Sequence, residues 1–228
     1  MNYAELFSTI QTYTENQFPA VYLADGSTVP FTTQIDTIIR QAEQRIYNSV
    51  QLASLRKNMT GTLVANNKYL AAPIDFLSVY SLAVVDAQGN YTYLLNKDVN
   101  FIREAYPNAN AVGLPKYYAI FGASTAAPNE LTFILGPAPD SNYVAELHFF
   151  YYPESIVTAG STWLGDNFDS VLLYGCLVEA YTFMKGEADL IALYDGKYKE
   201  ALALVKRLGD GMERQDAYRS GQYRQAVT

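Results

Sequence analysis

The apolar residues of this chain change their spacing twice, and that change restricts the fold more than any single motif does. Tyr3, Leu6, Phe7, Ile10 and Tyr13 recur at i, i+3, i+4 and i+7, the stripe of an amphipathic helix. From Thr60 to Pro153 the period becomes strand-like, with turn residues at short intervals, and past Pro153 the helical period returns. The pattern predicts an α+β protein: a helical bundle made by N- and C-terminal helices, an inserted β-rich sub-domain and a C-terminal extension. The expected boundaries are 1–57 and 156–210 for the bundle, 58–155 for the β-rich part and 211–228 for a tail.

Within the first part, Pro19, Asp25-Gly26-Ser27 and Pro30 break the pattern and predict a loop over 16–31. Thr32 or Thr33 is the expected cap of a second helix, with Ile35, Ile38, Ile39, Ala42, Ile46 and Val50 on one face and Arg40, Glu43 and Gln44 away from it. The middle reads as strands near Thr60–Val64, Lys68–Ala71, Val79–Val85, Tyr91–Leu95, Lys116–Phe121, Glu130–Leu135 and Tyr143–Tyr152. Asp86 to Asn90 forms a hairpin loop, and Asp98 to Ala105 a helical turn. In the last strand Leu147, Phe149 and Tyr151 point one way, and Glu146, His148, Phe150 and Tyr152 the other.

After Pro153, Gly165-Asp166-Asn167 supplies capping oxygens for a helix from about Phe168 to Lys185, ended by Gly186. A last helix follows from about Ala188 to Leu208, stopped by Gly209 and Gly211, with Leu190, Leu193, Tyr194, Tyr198, Ala201, Leu202 and Val205 as its apolar face. Residues 212–228 show no core period and read as a tail.

Composition then limits the chemistry. The chain holds 20 Tyr, 11 Phe and one Trp against a single His148 and a single Cys176. Tyrosine adds large, stiff contact area with a polar tip, whereas the commonest general base, metal ligand and thiol nucleophile are almost absent. Cys176 cannot form an intrachain disulfide and lies in the apolar run Val171 to Val178, the setting of a buried hydrophobe. The opening Met1-Asn2-Tyr3-Ala4-Glu5, with Arg40 as the first basic residue, lacks the basic start of a signal peptide. Phe168 to Met184 carries Asp169 and Glu179, and is shorter than the roughly 20 residues of a membrane span. No membrane, metal or cofactor partner is expected.

The net charge of −7 is unevenly spread. Residues 1–39 hold Glu5, Glu15, Asp25 and Asp36 with no base, whereas 206–228 hold Lys206, Arg207, Arg214, Arg219 and Arg224 against three acids. An acidic body disfavours gripping phosphates; a basic end suits an acidic partner. Neither GxGxxG, GxxxxGK[ST] nor GxSxG occurs. A Ser-His-Asp arrangement would have to use His148, whose place among strand aromatics favours a structural role. Two carboxylates can cleave glycosides without histidine, so Asp166 with Asp169 and Glu146 with Glu154 are candidates; capping explains the first pair. Tyr117-Tyr118 and Tyr151-Tyr152 are candidate stacking platforms, with aromatic strand packing as the competing reading. Tyr218 and Tyr223, beside Arg214, Arg219 and Arg224, have no core to join and suit a docking tail.

Several stretches carry a resemblance: IRQAEQRIY (Ile39 to Tyr47), NKYLAAPIDFL (Asn67 to Leu77), LLNKDVNFIREAYP (Leu94 to Pro107), GLPKYYAIF (Gly113 to Phe121), FILGPAPD (Phe133 to Asp140) and LVEAYTFMKGE (Leu177 to Glu187). In this order, closing with Tyr-Tyr-Pro-Glu after the aromatic strand, the chain resembles head-to-tail adaptor proteins of short-tailed bacteriophages. The resemblance implies a non-enzymatic virion protein at the head–tail junction, assembled in the host cytoplasm. It implies a homo-oligomeric ring of twelve copies beneath the portal protein, extending the DNA channel without specific DNA binding and receiving tail (nozzle or fibre) proteins. The C-terminal segment would reach the portal, with Arg207, Arg214, Tyr218, Arg219, Tyr223 and Arg224 as expected contacts. A cell-wall-degrading tail enzyme using acidic residues and a carbohydrate-binding module are the alternatives.

Overall fold

A computed structural model describes residues 1–25, 27–108, 110–122 and 131–222, with side chains described except at 31 and from 210 onward. It divides into two compact units, Met1–Leu55 with Pro153–Thr228, and Arg56–Tyr152. In chain order the first segment holds α1 (Tyr3–Thr14), β1 (Val21–Tyr22), β2 (Thr28–Val29) and α2 (Phe31–Ser49). The second unit holds β3 (Arg56–Leu63), β4 (Tyr69–Ala71), β5 (Ser78–Val85), β6 (Tyr91–Tyr93), β7 (Leu95–Asn96), α3 (Val99–Ala105), β8 (Tyr117–Phe121), β9 (Thr132–Gly136) and β10 (Tyr143–Phe150). The chain returns to the first unit with α4 (Ile156–Ala159), α5 (Trp163–Asn167), α6 (Asp169–Phe183) and α7 (Ala188–Gln222). The fold class is α+β, as the spacing predicts.

In the helical unit α1, α2, α5 and α7 all pack on α6. Its sequence explains why: Val171, Leu172, Leu173, Cys176, Leu177, Val178 and Ala180 are buried around the whole helix, and a helix apolar on all sides belongs in the centre. α1 starts in a capping box, in which the Glu5 amide donates to Asn2 Oδ1 at 2.9 Å and the Asn2 amide to Glu5 Oε2 at 3.0 Å. Tyr3 Oη donates to Asp36 Oδ1 at 2.7 Å, tying α1 to α2; burial, then Asp36, pushes the phenol up to about 12. Ile35, Ile38, Ile39, Ala42, Ile46 and Val50 are buried as the spacing requires.

Several local expectations are corrected. Neither Thr32 nor Thr33 caps α2; Pro30 takes the N-cap position without a side-chain bond, and the Thr33 amide donates to the Pro30 carbonyl at 3.1 Å. Glu43 does not lie away from the apolar face but is 2% exposed, because its Oε1 accepts the Ile156 amide at 2.9 Å where α4 begins. The loop over 16–31 contains the β1–β2 hairpin. Asp166 and Asn167 fall within α5, whose cap is Thr162, and α6 starts at Asp169 after an uncapped Phe168. Beyond α6, Lys185 takes the positive φ, and Gly186 packs against Tyr181, whose ring a Cβ would meet at 2.6 Å. Leu193 is exposed rather than on the buried face of α7.

The largest correction is at the end of that helix. α7 does not stop at Gly209 and Gly211 but continues to Gln222. Gly209 serves packing: a Cβ there would collide with the Gln51 carbonyl oxygen. Glycine is required because helix and backbone cross closely, and a single glycine costs a helix only about 1 kcal/mol.

In the β unit the strands form two four-stranded sheets, ordered β3-β10-β5-β6 and β4-β9-β8-β7. Leu63, Leu82, Val84, Ala145, Leu147 and Phe149 of the first share one core with Tyr118, Phe133 and Leu135 of the second. β10 alternates as expected, with Ala145, Leu147 and Phe149 buried and Glu146, His148 and Phe150 less so. A register shift between His148 and Phe149 interrupts its pairing with β5. The Asp86–Asn90 hairpin loop is present, closed by the Asp86 amide on the Asn90 carbonyl at 3.1 Å. The expected Tyr91–Leu95 strand is split: β6 stays in the first sheet, and β7 pairs in parallel with β8 in the second. The predicted strand start at Glu130 lies outside the described residues; β9 begins at Thr132.

Candidate contact surfaces

The open face of the first sheet gathers the residues most suited to chemistry. Asn58, Glu146 and His148 share it, since Asn58 pairs with His148 and Glu146 with Thr60 across the β3–β10 register. Glu146 Oε1 accepts Asn58 Nδ2 at 3.0 Å and lies 3.6 Å from His148 Nε2. Ser81 Oγ sits 3.1 Å from His148 Nδ1. Tyr91 is also bonded to Glu146, and that bond pushes its phenol up. A serine, an imidazole and a carboxylate therefore meet here on pleated sheet. These bonds order a polar patch on the sheet.

The other sequence candidates stand in different elements and connecting segments. Glu154 is exposed in the segment ahead of α4, in the helical unit, and Glu146 stands in β10. Asp166 lies 4.0 Å from the N-terminal ammonium of Met1, and Asp169 Oδ1 accepts the Ser170 hydroxyl at 3.3 Å in the first turn of α6. Both serve helix starts. Cys176 is fully buried, and burial, with Glu43 and Glu179 nearby, holds its thiol well above the ordinary range. Tyr118 is in the β core and Tyr151 packs on Phe149, which is the aromatic-packing reading of both tyrosine pairs. Among the described residues no cluster of His, Cys, Asp and Glu is arranged to hold a metal ion, and no helix is long and apolar enough to cross a membrane.

Arg207 is exposed on α7. Arg214, Tyr218 and Arg219 fall on its continuation, where the backbone is helical; their side chains, and all of Tyr223 and Arg224, lie outside what is described.

Two surfaces escape a reading of the sequence. The β1–β2 hairpin exposes Val21, Tyr22 and Leu23, with Tyr22 81% exposed. At its turn, the Ser27 hydroxyl and amide donate to Asp25 Oδ1 at 2.6 and 2.9 Å and hold that carboxyl below its usual range. On the β unit, a cleft of about 50 Å³ opens between α3, β4 and β9. Lys68 and Arg103 line it with Tyr69, Tyr106 and Ile102, and no carboxylate does. Its floor approaches α3 so closely that a Cβ at Gly136 would meet Ile102 at 2.7 Å. An aromatic run continues from it, Tyr106 to Tyr117 at 6.4 Å and Tyr117 to Phe101 at 5.3 Å, with Lys97 over Phe101 at 5.2 Å.

The described surface carries exposed tyrosines, exposed aliphatics and paired charges. Against known families, the pattern described as SU10 adaptor protein matches residues 1–225, so the chain belongs to that family. No curated protein matches the chain.

Proposed function

We propose that this member of the SU10 adaptor protein family is a structural, non-enzymatic component of a bacteriophage virion. It forms a ring of twelve copies beneath the portal protein at the head–tail junction, extends the DNA channel and receives tail proteins on its far side. The match over residues 1–225 carries this reading, because it spans both units and not an isolated motif. Physical chemistry supports it in two further ways. A ring member buries two different faces against its neighbours, and exposed tyrosines such as Tyr22, Tyr91 and Tyr93 suit such faces. A body with net charge −7 offers few counter-charges to phosphates, which lets DNA pass.

The C-terminal segment from Arg207 onward is the proposed portal contact, through Arg207, Arg214, Tyr218, Arg219, Tyr223 and Arg224. Deleting 212–228 removes five of these six and keeps every residue of the described helical core. The truncated chain is expected to keep its melting profile and lose portal binding in co-sedimentation; unchanged binding would refute the contact.

A further inference from the structure

The hairpin apex and the α3 cleft are chemically complementary. One is an exposed aromatic and aliphatic tip with a fixed carboxylate; the other is an apolar slot between two cations. The slot holds a small polar group and not a whole ring, since about 50 Å³ is well below the roughly 150 Å³ of a cavity that takes benzene. A carboxylate fits, with a neighbouring aromatic left on the rim beside Tyr69, which is itself exposed. Neither Lys68 nor Arg103 forms an ion pair among the described residues, and the acids of α3, Asp98 and Glu104, do not line the cleft. Asp98 is engaged as the cap of α3, accepting the Asn100 amide at 2.7 Å.

We propose that the β1–β2 hairpin of one copy docks on the α3 cleft of a neighbouring copy, with Asp25 between Lys68 and Arg103 and with Tyr22 and Leu23 over the aromatic rim. The occupant is a second copy because the chain carries both halves. Residues 1–39 contain four acids and no base, whereas Arg56–Tyr152 has six bases against seven acids and gathers two of those bases at the cleft. Two different patches, one from each copy, make a head-to-tail contact, the type that closes a ring. Opposite charges at its centre select the register, and the aromatic rim excludes water around them. The inference rests on the ring reading and names the surfaces that form it.

The test uses the full chain loaded on its cognate portal protein. Leu23→Cys with Asn108→Cys, both exposed positions, is oxidised in the assembly; the native Cys176 is buried and does not interfere. A ladder of covalent multimers is expected from the double variant and none from either single variant. Separately, Asp25→Lys or Arg103→Glu should each lower loading about tenfold, and the two together should restore it. Normal loading of every variant with no ladder overturns the hairpin–cleft contact and leaves the adaptor reading standing. A wild-type chain that never loads on the portal overturns both.

Discussion

The two units hold themselves together in different ways, and the difference bears on where contact surfaces can form. The helical unit is organised around one element, α6, buried on all sides, so its other helices are free to turn outward faces to solvent. The β unit spreads its core between two sheets, and each strand gives alternate residues away to the outside. Tyr91 and Tyr93 therefore lie exposed by necessity of the pleat. Charge follows the same division: ten Lys and Arg stand against sixteen Asp and Glu in the helical unit, but six against seven in the β unit. The helical unit carries most of the excess acid, whereas the β unit is nearly neutral and places two of its bases at the cleft.

The sharpest way to break this contrast is in the β core. Phe149 is fully buried, with Phe76 at 5.9 Å and Tyr151 at 6.4 Å, so Phe149→Ala should cost about 3–5 kcal/mol in denaturant unfolding. The helical unit should show its own weak point where α7 crosses Gln51. Gly209→Ala forces a Cβ into a carbonyl and is expected to cost about 1–3 kcal/mol, although alanine is the better helix former. A stabilising effect would mean that Gly209 does not pack there.

Glu43 gives a smaller effect with a sign that can be checked. Glu43→Ala leaves the Ile156 amide without its acceptor, a loss of about 1–3 kcal/mol. Burial raises the carboxyl's pKa, and its bonds to Ile156 and Ser155 only partly oppose this. A carboxyl raised in the folded state favours folding when protonated, and that contribution is lost as pH rises through its folded value. Relative to Glu43→Gln, the wild type should therefore gain stability on acidification from neutral into the carboxylate range; a flat difference would refute it. Asn2→Ala, which opens the capping box of α1, should cost about 1 kcal/mol.

These contrasts also explain what could be read from the sequence. α2 was legible because its isoleucines recur at helical spacing, and β10 because apolar and polar residues alternate from Ala145 to Phe149. Glu43 was not, because periodicity marks the centre of a buried stripe but not a polar residue at its edge that finds a partner from a distant segment. Gly209 misled because the same residue ends helices and permits close crossings, and only the position of Gln51 distinguishes the two. The β1–β2 hairpin was hidden by strands of two residues each between prolines. The cleft draws on Lys68, Arg103, Tyr106 and Gly136, which no local pattern joins.

The central claim is that this chain works as an assembled adaptor on a portal, and electron cryo-microscopy of the two proteins mixed together tests it most directly. The account predicts a closed ring of copies coaxial with the portal, its central channel continuous with that of the portal and the α7 ends directed toward it. A portal left bare, or one decorated with scattered single copies and no ring at saturating chain, would contradict it.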